Sequence, residues 1–163
     1  MMSKYFYVFF IAMLPLIELR GAVPVAVGFH TADPSFNMVA AYILIALGNM
    51  LPVPFIFFFA RRVLEWGADK KFIGKFFSWC LDKGHKGGAK LQKSAGHGLY
   101  WALLLFVGVP LPGTGAWTGT LAASFLDMDF KKSCIAIMGG VALAGVIMSL
   151  ISFGTAAGWS LAH

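Results

Sequence analysis

The sequence predicts an all-α integral membrane protein built as two inverted-topology repeats, each a re-entrant helical hairpin followed by a long transmembrane helix. Three observations predict it: a composition too apolar for water, apolar blocks of two different kinds, and basic charge concentrated between the halves. Hydrophobic residues make up 59% of the 163 and charged residues 12%, against about 45–50% and about 25% in a soluble domain. Mean hydropathy is +0.78. Too little polar surface remains to cover a water-soluble globule, and this excludes soluble enzymes and soluble binding modules.

Residues 1–60 read as the first repeat. Its opening block, 5–29, is interrupted by Glu18-Leu19-Arg20-Gly21 and then Pro24. The pieces on either side fall short of the roughly 20 helical residues that cross a bilayer. Irregular backbone at membrane depth survives only where protein buries it or water reaches it, so the block reads as half a helix in, a polar bend, and half a helix out. A charged start before the Tyr5–Leu16 run is also the opening of a signal peptide, but no small-x-small cleavage site follows directly. The next block, 36–60, is continuous enough to span, with distortion expected at Pro52 and Pro54, which remove backbone donors.

Residues 61–97 hold nine of the thirteen Lys/Arg and only three acids, and so the whole net charge of +6. A basic run can bind nucleic acid, but between membrane blocks it reads as a cytoplasmic loop under the positive-inside rule. Phe72, Ile73, Phe76, Phe77, Cys80 and Leu81 recur at helical spacing opposite Lys70, Lys71 and Lys75, the pattern of an amphipathic helix on the inner leaflet or packed on the bundle. Asp82–Gly98 is a Gly/Lys-rich linker.

Residues 98–163 read as the second repeat, with a hairpin over 98–126 and a spanning helix over 133–157. The hairpin's middle, Gly108-Val109-Pro110-Leu111-Pro112-Gly113-Thr114-Gly115, cannot be a straight helix. Pro15-Leu16 aligns with Pro110-Leu111, 95 positions on. The loop His30–Ser35 has no Lys or Arg, while Asp127–Lys132 has Lys131 and Lys132. If each hairpin returns to its own side, the first loop lies outside and the second inside, an inverted repeat of the kind secondary transporters use. The rival is four plain spanning helices, which leaves Lys131 and Lys132 outside but keeps Lys4 inside.

Ionised groups at mid-membrane cost about 2.5–3.5 kcal/mol even on lenient scales, so Glu18 and Arg20 are the leading site candidates. Glu18 suits a coupling proton, since burial disfavours the charged carboxylate. Arg20 suits an anionic head group, through its planar fork of donors. Structurally, the two can instead pair with each other or cap backbone freed by the break. Pro110, Pro112, Gly113, Thr114, Gly115, Trp117 and Thr118 form the second candidate: free N–H groups, hydroxyls and an indole donor at a half-helix N-terminus, an end that attracts anions. The bland alternative there is close packing through small residues. Gly21, Pro24, Asn49 and Gly119 are possible cavity-lining positions. Asp127 and Asp129 read as a loop and a helix cap. Cys80 and Cys134 form no disulfide framework, the four histidines are scattered, and no nucleophile–base pair or metal-ligand spacing is present. No metal, cofactor or enzymatic activity is expected.

On Glu18-Leu19-Arg20-Gly21-Ala22-Val23-Pro24 and Pro110–Gly119, the chain resembles the small multidrug export protein family of prokaryotes, which is similar to the wider DedA/VTT superfamily. The resemblance implies two re-entrant loops, an inner-membrane location and proton-dependent movement of undecaprenyl phosphate or phospholipids. The chain departs from DedA proper in its second motif and in its short length. The expectation is a proton-coupled transporter or flippase for an amphipathic anion such as a lipid-linked phosphate. The alternatives are an exporter of small lipophilic drugs and a non-transporting scaffold whose basic loop recruits a partner. Membrane lipids are the expected partners, with no nucleic acid. Two hairpins offer little wall around a cavity, so a homodimer is expected.

Overall fold

The computed structural model describes residues 2–15, 17–68, 78, 98–111 and 113–162. Every regular element among them is helical: α1 (Met2–Met13), α2 (Glu18–Ala32), α3 (Met38–Met50), α4 (Pro52–Ala68), α5 (Gly98–Gly108), α6 (Ala116–Phe125) and α7 (Phe130–Ala162). Two stretches are long and apolar enough to cross a membrane: Met38–Val63, 26 residues, and Phe130–Gly158, 29 residues. Their outer faces leave Phe55, Phe59, Ile135 and Leu150 65–71% exposed. Large side chains bared in this number suit a hydrocarbon surrounding.

Local chemistry sets the breaks. Pro15 has no N–H to continue α1, so the Leu14 N–H turns back to Ile11 O at 3.1 Å. The helix gives out after Met13, at Leu14 and Pro15, and Glu18 resumes it at φ +50°. The bend therefore lies ahead of the Glu18–Gly21 stretch rather than within it. Glu18, Leu19 and Arg20 form the first turn of α2, and Gly21 and Pro24 lie inside that helix. The first long helix starts at Met38, where the Asn37 side chain accepts the Ala40 N–H at 3.1 Å. It is interrupted at Leu51, ahead of Pro52, and resumes to Ala68. Residues 61–68 thus continue a helix expected to end at 60. The amphipathic helix expected over Phe72–Leu81 and the linker from Asp82 fall outside the described residues, apart from Ser78 and the linker's last residue, Gly98. The second long helix starts earlier than expected, at Phe130, where Asp129 accepts the Lys132 N–H at 2.9 Å.

The long helices run antiparallel. At one end Phe57 and Phe58 pack on Phe130, with ring centroids 5.1 and 4.8 Å apart. At the other, the Tyr42 and Ser149 hydroxyls meet at 2.5 Å and His30 edges Phe153. The loops 33–37 and 126–129 consequently lie at opposite ends of the bundle. Each pair of short helices is a hairpin that returns to its own end. Tyr5 stacks on Phe36 at 4.5 Å, and Lys4 meets Asp33 at 2.9 Å. In the second pair, Lys132 at the head of α7 lies over the Tyr100 ring.

The arms of the hairpins are exchanged between halves. α1 packs on α3 and α5 on α7, each within its own half, while α2 packs on α7 and α6 on α4, each on the other half's long helix. The first-arm contacts correspond closely. A Cβ on Gly48 of α3 would sit 2.5 Å from the Phe9 carbonyl of α1. One on Gly140 of α7 would sit 2.7 Å from the Leu104 carbonyl of α5. Phe9 and Leu104 are separated by the same interval as Pro15 and Pro110. Small residues here let backbones approach without a side chain between them. Between the second arms and the long helices lies a core that includes Ala22, Val23, Ala26, Val53 and Ile137.

Candidate functional site

The two hairpin tips meet, and the residues that join them are Glu18 and Arg20. Glu18 is 4% exposed. Its left-handed backbone, φ +50°, sets it at the very head of α2, and its carboxylate crosses to the head of α6. There the Ala116 N–H donates to Oε2 at 3.2 Å and the Trp117 N–H to Oε1 at 3.0 Å. The first N–H groups of a helix have no partner within it, and the N-cap of α6 is Gly115, which has no side chain to supply one. Glu18 thus caps a helix almost a hundred residues away, placing negative charge at the positive end of its dipole. Gly115 makes room for it: at φ +138°, a Cβ there would lie 1.9 Å from Glu18 Oε2.

Arg20 holds the loop that precedes α6. Its guanidinium donates to the carbonyls of Leu111 and Thr114 and, at 2.5 Å, to the Thr114 hydroxyl. That hydroxyl is itself within reach of the Val109 carbonyl at 2.8 Å and the Leu111 carbonyl at 2.9 Å. The loop lacks helical bonding because of Pro110 and the glycines, so its carbonyls need outside donors. Of the two structural alternatives the sequence leaves open, backbone capping is the one found. The ion pairs among the described residues join Lys4 to Asp33 and Arg61 to Glu65 and Asp127, and none joins Glu18 to Arg20.

The other candidate positions divide. Gly113 turns the loop at φ +83° with open space around it, Pro110 lies beside it, and Pro112 is outside the described residues. Trp117 contributes its backbone N–H, while its indole Nε1 is buried with no partner among the described residues. The Thr118 hydroxyl lies 3.4 Å from the Gly115 carbonyl. Gly119 is a packing glycine, pressed on Val107. Gly21 sits tight against Ile17. Pro24 lies away from the junction, in the wall of a cleft of about 710 Å³ between α2 and α7 that Thr31, Ser152 and Thr155 also line. Asn49 is buried in the first long helix. Asp129 caps α7 as expected, and Asp127 takes part in an ion pair with Arg61.

Two features have no signal in the sequence. One is the Tyr42–Ser149 hydroxyl pair, which lines a cleft of about 490 Å³ between the long helices together with Leu19, Leu47, Met138 and Val146. The other is an aromatic cleft of about 360 Å³ formed by Phe59, Trp117, Leu121 and Phe125. The charged side chains and these clefts do not coincide, although Leu19, between Glu18 and Arg20, borders the larger of the two. Buried Glu18, half-buried Arg20, the strained backbone and the head of α6 converge at the junction. No cluster of His, Cys, Asp and Glu that could hold a metal occurs among the described residues.

No curated protein and no solved structure matches the chain. A family model described as "Putative small multi-drug export protein" matches residues 18–147, which begin at Glu18 and take in both sides of the junction, and the chain belongs to that family.

Proposed function

We propose that this membrane protein is a proton-coupled secondary transporter for an amphipathic anion, of the class of lipid-linked phosphates or phospholipids, and that the contact between the hairpin tips is its closed gate. The observation that carries the reading is the junction itself. The head of α6 attracts anions and Arg20 binds them, and the chain fills both with its own groups: the Glu18 carboxylate on the helix, and loop carbonyls on Arg20. An incoming phosphate offers the same chemistry to the same donors. Protonation of Glu18 removes the charge that α6 holds. The helix end is then open to substrate, and the proton travels with the exchange.

The hairpin arms are 10–15 residues, about 15–22 Å of helix, against a hydrocarbon core of about 30 Å. We read them as re-entrant, dipping in from opposite faces, and the halves as an inverted repeat. The exchanged arms and the opposite placement of the two loops support that reading. Residues 61–97 are cytoplasmic in it, the membrane is the inner membrane of a prokaryote, and the assembly is a homodimer. The likeness to the DedA/VTT superfamily belongs to this proposal.

A second reading, export of small lipophilic molecules, draws on the family's description and on the apolar aromatic cleft beside Trp117. A scaffold without transport would show no flux of either class. Proteoliposomes separate the three. A phosphate-bearing amphiphile should move faster under an imposed pH gradient, and Glu18→Gln should bind it yet lose the response to the gradient. Full gradient dependence in Glu18→Gln would make Glu18 purely structural, and flux of lipophilic drugs alone would favour the second reading.

A further inference from the structure

Away from the junction, the interruption in the first long helix places a buried, unpartnered acceptor close to a missing helical donor. Asn49 is 2% exposed, and its Oδ1 is buried with no partner among the described residues. Three residues later stands Pro52, which has no N–H, so the Gly48 carbonyl lacks its regular helical donor. Gly48, Asn49, Pro52 and Val53 are all buried. The interruption and the Asn49 amide therefore lie on the inward side of the helix. Against that side lies the end of α1: a Cβ on Gly48 would be 2.5 Å from the Phe9 carbonyl and 3.3 Å from Ala12 Cβ. α1 stops one residue past Ala12, at Met13. Its last carbonyls, which have no intrahelical donors, give that end partial negative charge.

An acceptor left unpaired in a dry interior is unfavourable. A bound cation relieves it without needing a donor. The ligands are neutral carbonyl oxygens, hard and uncharged, which favours a small monovalent ion over a divalent or transition metal. Interrupted membrane helices bind such ions through freed carbonyls and half-helix C-termini. We propose that the Pro52 kink is a binding site for a small alkali cation, held by Asn49 Oδ1, the Gly48 carbonyl and the C-terminal end of α1. The site is separate from Glu18 and Arg20, and it stands or falls without reference to what the protein transports.

The experiment is thermal unfolding of the purified full chain in detergent, with sodium chloride exchanged for choline chloride at constant ionic strength. Sodium should raise the melting midpoint along a saturating curve, since a ligand that binds only the folded state stabilises it by mass action. Asn49→Leu should abolish the sodium response while melting no lower in choline, because it removes the unpaired acceptor. Asn49→Asp should lower the half-saturating sodium concentration by about tenfold, because ligand charge tunes cation affinity. The absence of a sodium response in the unaltered protein, or an unchanged response in Asn49→Leu, overturns the proposal and leaves a site for water only. Should Asn49→Leu fail to fold, Asn49→Asp decides: a half-saturation that does not move also overturns it.

Discussion

The first hairpin, α1 and α2, carries two ionisable side chains at the head of its second arm, whereas the second, α5 and α6, carries no charge at all. Where the first tip offers a carboxylate and a guanidinium, the second offers what they bind: two N–H groups, two carbonyls and a hydroxyl. The backbone conformations differ accordingly. The charged tip has one left-handed residue, Glu18, and the uncharged tip has two positive-φ glycines, Gly113 and Gly115. The contact joins unlike tips: the charged side chains come from the first, and the backbone groups and hydroxyl they bind come from the second. The halves pack their first arms alike, and their tips are complementary.

The sharpest way to break that complementarity is a single methyl group. Gly115→Ala puts a Cβ 1.9 Å from Glu18 Oε2 at φ +138°, so it is both a clash and a strained backbone. A loss on the order of 3 kcal/mol or more is expected, read as a large fall in melting midpoint together with loss of flux. Gly113→Ala is the control. Its φ is +83° but nothing lies within 4 Å, so only the left-handed conformation costs, about 1–2 kcal/mol. Equal effects at the two glycines would mean that Glu18 does not sit where its carboxylate caps α6.

Next in size is Arg20. A side chain that merely waits for substrate can be truncated without harm to the fold, but this one is a strut for the 109–115 loop. Arg20→Ala leaves the Leu111 and Thr114 carbonyls without their charged donor and should cost about 2–4 kcal/mol of stability. Arg20→Lys should recover part of it, since one ammonium cannot reproduce the fork. Thr114→Val, which keeps the shape and removes the hydroxyl, should cost about 1 kcal/mol. Chemical denaturation of the three variants orders them, and an Arg20→Ala protein as stable as the parent would return Arg20 to a purely ligand-binding role.

Glu18 and Arg20 were legible in the sequence because charge inside an apolar block is costly and needs a reason. The second tip was legible because prolines and glycines cannot continue a helix. The partner of each charge was not legible: nothing in the one-dimensional pattern says that a carboxylate will satisfy amides almost a hundred positions later. The bend was misplaced for a related reason. Polarity points to Glu18–Gly21, but the backbone fails at Pro15, and from the left-handed Glu18 onward the stretch is helical. The Tyr42–Ser149 pair is invisible because hydroxyls occur throughout membrane helices, and only the crossing of the long helices selects these two.

The shared packing plan can be tested apart from the tips. Gly48 and Gly140 both admit a carbonyl of the arm that packs on them, with Cβ positions 2.5 and 2.7 Å from the respective oxygens. Backbone cannot yield as a side chain can, so alanine at either should push a helix pair apart at a cost of about 1–3 kcal/mol. Gly145→Ala, whose Cβ would meet only Leu19 Cδ1 at 3.7 Å, should be neutral or slightly stabilising, because alanine favours helix. Comparable losses at Gly48 and Gly140 would support equivalent halves, and a loss at one alone would break the equivalence.

The smallest effect expected comes from the loops that close the hairpins, where the halves differ again. Asp127 reaches across to Arg61 of the other half, whereas Asp33 is bound within its own hairpin. The Ser35 hydroxyl donates to Asp33 Oδ1 at 2.5 Å and Lys4 to Oδ2 at 2.9 Å. These contacts, the hydroxyl first, hold the Asp33 carboxyl down to about 2 from an ordinary 3.8. A depressed carboxyl stabilises the fold fully above its unfolded value and loses that contribution as the pH falls through the folded one. The window is therefore about pH 4 down to about pH 2. Asp33→Asn should melt slightly below the parent at pH 7, and the two should converge as the pH drops through that window. The pair is solvated and screened, so the gap should also narrow in high salt. A gap that persists unchanged at pH 2 would mean that Asp33 acts through its neutral hydrogen bonds to Ser35, with Lys4 contributing nothing.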